Sequence, residues 1–124
     1  MLLQIDFSSD IPIYLQIRNQ IVMGIAEGKL QAGEKLPTIR SLADESGVNM
    51  MTVNKAYQVL KQEGYITTDR RNGASISESQ TSDQRLSQKS MENLKLIISE
   101  AHLSGISKKS MLELCNRIYD DLEV

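Results

Sequence analysis

The stretch Asn49-Met50-Met51-Thr52-Val53-Asn54-Lys55 sets two carboxamides, a hydroxyl and an ammonium within two helical turns. A carboxamide such as that of Asn54 matches an adenine edge, a hydroxyl such as Thr52 serves a base or a phosphate, and Lys55 neutralises a phosphate. Met50 and Met51 have two readings, contact with thymine methyl groups or packing against a preceding helix, since flexible thioethers fit many surfaces. Arg40 lies upstream, where its guanidinium can fork onto a DNA backbone or groove edge, or pair with Asp44 four residues on. Downstream, Arg70 and Arg71 adjoin Asn72 and Gly73 in a turn-prone run. A solvated turn does not need two adjacent guanidinium groups to fold, so these are expected at a minor groove or flanking phosphates. Lys35, just before Leu36-Pro37, is a further phosphate candidate.

Other chemistries lack their residues. His102 is the only histidine and Cys115 the only cysteine, so neither a zinc site nor an internal disulfide or redox pair can be assembled within one chain. Asp120-Asp121 falls among solvated charges near the C-terminus, and no phosphate-binding glycine loop or nucleophile elbow occurs. The expectation is a non-enzyme with no cofactor and no metal. Cys115 is expected to be buried helix packing, and His102 to have a surface or interface role.

The positioning elements follow from periodicity. Ile13, Ile17, Ile21 and Ile25 recur every fourth residue within a helix read over 11–29, with Pro12 in its first turn and Gly28 at its end. A short helix over 39–46 is capped by Thr38, and Gly47 supplies the turn. A third helix over 50–63 is capped by Asn49 and turns Val53, Ala56, Tyr57 and Leu60 inward. Two helices joined by a tight glycine turn form a helix-turn-helix. Tyr65-Ile66-Thr67-Thr68 and Ala74-Ser75-Ile76-Ser77 then read as a hairpin around Asp69–Gly73, which is a wing.

Residues 78–83 carry no large apolar side chain and are read as a linker between a winged-helix domain over 1–77 and a C-terminal region over 84–124. In that region Leu86, Leu94, Ile97, Ile98 and Ala101 form one helical stripe. Met111, Leu112, Cys115, Ile118, Tyr119 and Leu122 form another. Two such helices cannot bury their apolar faces alone, so pairing with a second copy is expected, the alternative being a hairpin folded back on the N-terminal domain. The fold class is therefore mainly α with a small β-hairpin, a winged helix-turn-helix followed by a two-helix dimerisation tail.

The net charge of −2 argues against a uniformly basic surface that coats nucleic acid. Residues 30–76 carry six Lys and Arg against five Asp and Glu, so any DNA face is local. No leader pattern and no membrane-length apolar run occurs, giving the expectation of a cytoplasmic chain with no membrane partner. Too few residues separate the wing from the terminal helices for an enclosed pocket of roughly 300 Å³, so a small-molecule effector, of unknown identity, is expected only at a dimer interface. Double-stranded operator DNA is the expected partner; a winged helix that binds protein without DNA contact is the alternative.

Pro12-Ile13-Tyr14-Leu15-Gln16-Ile17, the run Gly28–Ala43, Gly47-Val48-Asn49, Thr52–Tyr57 and Glu63-Gly64-Tyr65-Ile66 closely resemble the GntR family of transcription regulators over residues 5–77. The short two-helix tail is similar to that of the YtrA subfamily. This resemblance implies a small dimer, a palindromic operator, and repression of genes that often include transporter operons. It also implies DNA contacts for Thr38, Arg40, Thr52, Lys55 and Gly73. The chain departs from many members of that family where Met50 replaces a basic or proline residue, where Asn54 replaces a basic residue, and where Arg71-Asn72-Gly73-Ala74 replaces the common Gly-x-Gly-Thr of the wing. Base preference therefore does not carry over.

Overall fold

Isoleucine spacing places α1 (Ile13–Ala26) with Ile17 and Ile21 fully inward. The computed structural model describes residues 3–78 and 85–122. Pro12 stands at the N-cap of α1, one position outside the first turn expected of it, because its ψ of 143° is extended. Thr38 opens α2 (Ile39–Ser46), its side chain accepting the Ser41 N–H at 3.0 Å. Gly47 ends α2 at φ 70°, a left-handed conformation that glycine adopts without steric cost. Asn49 then opens α3 (Met50–Gln62) by accepting the Met51 N–H at 2.6 Å.

The wing consists of β1 (Ile66–Asp69) and β2 (Gly73–Ile76), antiparallel, with Ile66 opposite Ile76 and Asp69 opposite Gly73. A third segment, 34–36, entered through a turn at Gly33, lies along the other edge of β2. Gly33 donates to Ile76 O at 2.9 Å, Ile76 to Glu34 O at 2.8 Å and Leu36 to Ala74 O at 2.9 Å. Gly33 and Pro37 read as chain breaks in the sequence, yet the residues between them tie the wing to the start of α2. Leu36, Leu42, Val53, Ala56, Leu60, Ile66 and Ile76 close the core around α1, so the wing hairpin is anchored at its base while its turn is solvated. Arg18 adds a bidentate ion pair from α1 to Glu63 just past α3, at 2.8 and 3.1 Å.

The chain divides into two compact units, Met1–Thr81 and Ser82–Val124. Of the expected linker 78–83, only Glu78 is described, and it is exposed; 79–83 lie outside the described residues. The second unit holds α4 (Gln88–Leu103), capped by Ser87, and α5 (Lys108–Asp120), capped by Ser107. The two helices touch each other, but no residue of either is buried. Leu86 precedes α4 and Leu122 follows α5, so the apolar stripes overrun the helices at both ends. Cys115 is half-buried rather than enclosed in a core. Among the described residues, no helix is long and apolar enough to cross a membrane.

Candidate nucleic-acid interface

Because α3 turns Val53, Ala56, Tyr57 and Leu60 into the core, its helical repeat turns Met51, Lys55 and Gln58 outward, with Met50, Asn54 and Lys61 along one flank. Met51 is 79% exposed and Met50 45%, so both present thioether surface to solvent. Thr52 is half-buried at the edge of this face. The Asn49 oxygen is committed to the Met51 N–H, which leaves its NH₂ group as the part free for a ligand and removes a bidentate adenine contact.

Arg40 is exposed on α2 and makes no ion pair with Asp44. Its placement relative to α3 is set by Tyr57, whose hydroxyl donates to Pro37 O at 2.8 Å, locking the chain before Thr38 onto the recognition helix. Burial pushes the Tyr57 hydroxyl up to about 12, so it stays a neutral donor.

At the wing turn, the Asp69 carboxylate accepts the Arg71 N–H at 2.8 Å and the Asn72 carboxamide at 3.2 Å. These bonds, the Arg71 amide foremost, hold its pKa below the usual carboxylate value, and Lys35 nearby adds to the effect. Asn72 is thus a turn-forming residue, while Arg70 and Arg71 are free in solvent. Gly73 has φ 73°, which returns the chain into β2. Lys35 is exposed and opposite Ser75 in the extended bridge beside β2.

Lys55 has a partner that its position in the sequence did not disclose. Its Nζ lies 4.1 Å from the centre of the Tyr14 ring on α1. Between α3, the start of α2 and the wing, an open cleft of about 340 Å³ is lined by Thr38, Asn54, Gln58, Lys61, Thr68 and Gly73 among others. Sequence reasoning missed Gln58 and Lys61, although their spacing of four and seven from Asn54 puts them on its flank. Thr68 and Tyr14 carry no such signal, because only tertiary packing brings them to this surface. The expected C-terminal set, Leu94, Ile97, Ile98, Ala101, Met111, Cys115, Ile118 and Leu122, lies on the second unit, where Ile97 and Ile118 are more than half exposed.

Residues 13–76 match the family model described as bacterial regulatory proteins, gntR family. The chain belongs to the GntR family. Along nearly its whole length this GntR-family chain is 36% identical to the HTH-type transcriptional repressor YtrA of Bacillus subtilis, covering 98% of this chain and 95% of that protein. It is 42% identical to the solved YtrA of Sulfolobus acidocaldarius, a GntR-family transcription factor, over 96% and 97% of the two chains, with a TM-score of 0.59. These likenesses place it in the YtrA subfamily. AraR(DBD), solved in complex with operator ORX1, is similar over 62% of this chain and 99% of its own, at 26% identity and TM-score 0.56. The chain is thus a transcriptional regulator with a winged helix-turn-helix DNA-binding domain, the class its fold and its exposed α3 face indicate.

Proposed function

We propose that this regulator is a homodimeric repressor of a two-fold-symmetric operator. In this reading residues 1–77 are the DNA-binding domain, 78–83 the linker and 84–124 the dimerisation region. The observation that carries the reading is the solvated face of α3 from Met50 to Lys55, flanked by Arg40 and by Arg70 and Arg71. In this arrangement α3 enters the major groove, with Asn54 and the two methionines toward base edges, and Arg40, Thr38, Thr52, Lys55 and Lys35 toward phosphates. The wing arginines reach the adjacent minor groove or its phosphates, and the DNA strand passing between the grooves runs along the cleft where Gln58, Lys61 and Thr68 stand.

Dimerisation is supported by the second unit. Helices of 16 and 13 residues with no buried side chain are marginal on their own, and two copies meeting along Leu94–Ala101 and Met111–Leu122 supply the missing core. Repression, and the control of a transporter operon, follow the family resemblance and the name of the B. subtilis relative. The reading requires no catalysis and places the chain in the cytoplasm with its DNA.

Selection of bound duplexes from a random library at about 150 mM salt tests it. Enrichment of a two-fold-symmetric motif, with half-sites about one DNA turn apart, is the expected result. Absence of enrichment by folded, dimeric protein rejects the operator-binding reading in favour of a protein-interaction module.

A further inference from the structure

We propose that Tyr14 is a positioning residue for DNA binding, holding the Lys55 ammonium at the α1–α3 edge so that it meets a phosphate beside the major groove. The inference rests on the DNA-binding reading above and concerns a residue outside the helix-turn-helix and the wing.

Lys55 is exposed on α3 and no carboxylate pairs with it; its ammonium instead sits 4.1 Å from the centroid of the Tyr14 ring, well inside the range of a cation–π contact. A lysine carries four rotatable bonds, and a solvated one samples a wide arc before it can meet a phosphate. Binding to DNA would have to arrest that motion, at a cost in affinity that pre-organisation avoids. The aromatic face fixes the ammonium without neutralising it, unlike a carboxylate, so its donors stay available to an anion on the side away from the ring. Tyr14 is itself fixed, being half-buried on α1 against the hydrophobic core. Pro12 has no side-chain cap bond, no acidic residue occupies the first turn of α1, and Leu15 and Gln16 N–H groups bond back to Pro12 O. No carboxylate of the first turn of α1 therefore competes for Lys55, and no ion pair holds it. The arrangement predicts phosphate contacts on both sides of α3, with α2 and the wing on one flank and the Tyr14–Lys55 pair on the other.

The test measures affinity of the full chain for the selected operator duplex between about 50 and 250 mM salt, for wild type, Tyr14→Leu, Tyr14→Phe, Lys55→Ala and the double variant Tyr14→Leu, Lys55→Ala. Lys55→Ala is expected to lower the salt slope by about 0.9, one phosphate. Tyr14→Leu is expected to weaken binding about three-fold, and Tyr14→Phe, which keeps the ring, to bind as wild type. In the Lys55→Ala background Tyr14→Leu should have no effect, a coupling that a merely structural role of Tyr14 would not produce. Lys55 ε-methylene proton shifts give a second reading free of any folding defect. They should be moved upfield by the ring in the free protein and stay so in the DNA complex. Equal loss from Tyr14→Leu with and without Lys55, or loss of the upfield shift on binding, overturns the positioning role while leaving operator binding intact. Failure of the wild type to bind any duplex overturns the functional reading itself.

Discussion

At the scale of single residues, the interface is built by side chains that have already spent part of their bonding capacity on the fold. Tyr57 shows this most clearly. Its hydroxyl donates to Pro37 O at 2.8 Å and is held neutral by burial, with its pKa raised from 10.0 to about 12. A raised folded-state value means that stability from this group is complete below about pH 10 and declines as the pH climbs from about 10 to 12. Tyr57→Phe should cost about 1 kcal/mol at neutral pH, and the wild-type advantage in denaturant unfolding should vanish across that alkaline window. A constant difference at pH 8 and pH 12 would mean that the hydroxyl is not the linked group. Arg40 has spent nothing, since it makes no pair with Asp44, and its loss is predicted to fall on DNA binding alone. Arg40→Ala should weaken operator binding about ten-fold with an unchanged melting temperature. A lowered melting temperature would instead expose a fold role. Much of this was legible beforehand, as the residue types at 40, 49–55 and 70–73 were sufficient to nominate the surface. What stayed hidden was which atoms are already engaged. The Asn49 oxygen, the Asn72 carboxamide and the Lys55 ammonium each have a partner in the fold, and no spacing rule reveals partners fixed by local turns or by a distant helix.

At the scale of elements, capping and turn residues decide how α3 is presented. Gly47 at φ 70° reverses the chain between α2 and α3, and a Cβ there would meet no neighbouring atom, so the cost of replacement is backbone strain alone. Gly47→Ala should therefore destabilise the first unit by about 1–2 kcal/mol without changing the affinity of the protein that remains folded. A changed affinity at equal folded fraction would show that the turn also sets the angle of α3. The wing is the second element of the proposed interface. Asp69 braces its turn while Arg70 and Arg71 stand free, so Arg70→Ala with Arg71→Ala should leave the hairpin intact and lower the slope of log affinity against log salt by up to about 1.8. An unchanged slope would remove the wing tip from the contact surface. Helices α2 and α3 were easy to read because Thr38, Gly47 and Asn49 mark their ends, whereas α1, Ile13–Ala26, is shorter at both ends than the 11–29 that isoleucine spacing suggested. The segment 34–36 was not, since it holds only one buried side chain, Leu36, and is held in place by hydrogen bonds to β2.

At the scale of the molecule, the two units differ in how they satisfy the hydrophobic effect. The first closes a core from α1, α2, α3 and the wing, whereas the second leaves Leu94, Ile97, Ile98 and Ile118 more than 40% exposed. An apolar surface of this kind on two short helices is stable only when covered, and in the proposed dimer a second copy offers the same stripe by symmetry. The sequence carried this contrast as far as the existence of the stripes, but the count of residues could not say whether α4 and α5 would cover each other. They do not. Placing a charge in the stripe is consequently a test of assembly that leaves the first unit untouched. Ile97→Glu should weaken self-association at least thirty-fold by sedimentation, because a carboxylate would be buried without a partner. Binding to a single half-site duplex should be unchanged, since α3, Arg40 and the wing belong to the other unit. Binding to the full operator of the proposed dimer should fall steeply, because two half-sites bound by separate molecules would lose the effective concentration that linkage through the second unit would provide. Equal loss on half-site and full site would mean that the second unit acts on the DNA-binding unit directly, and that symmetry of the operator is not matched by pairing of α4 and α5.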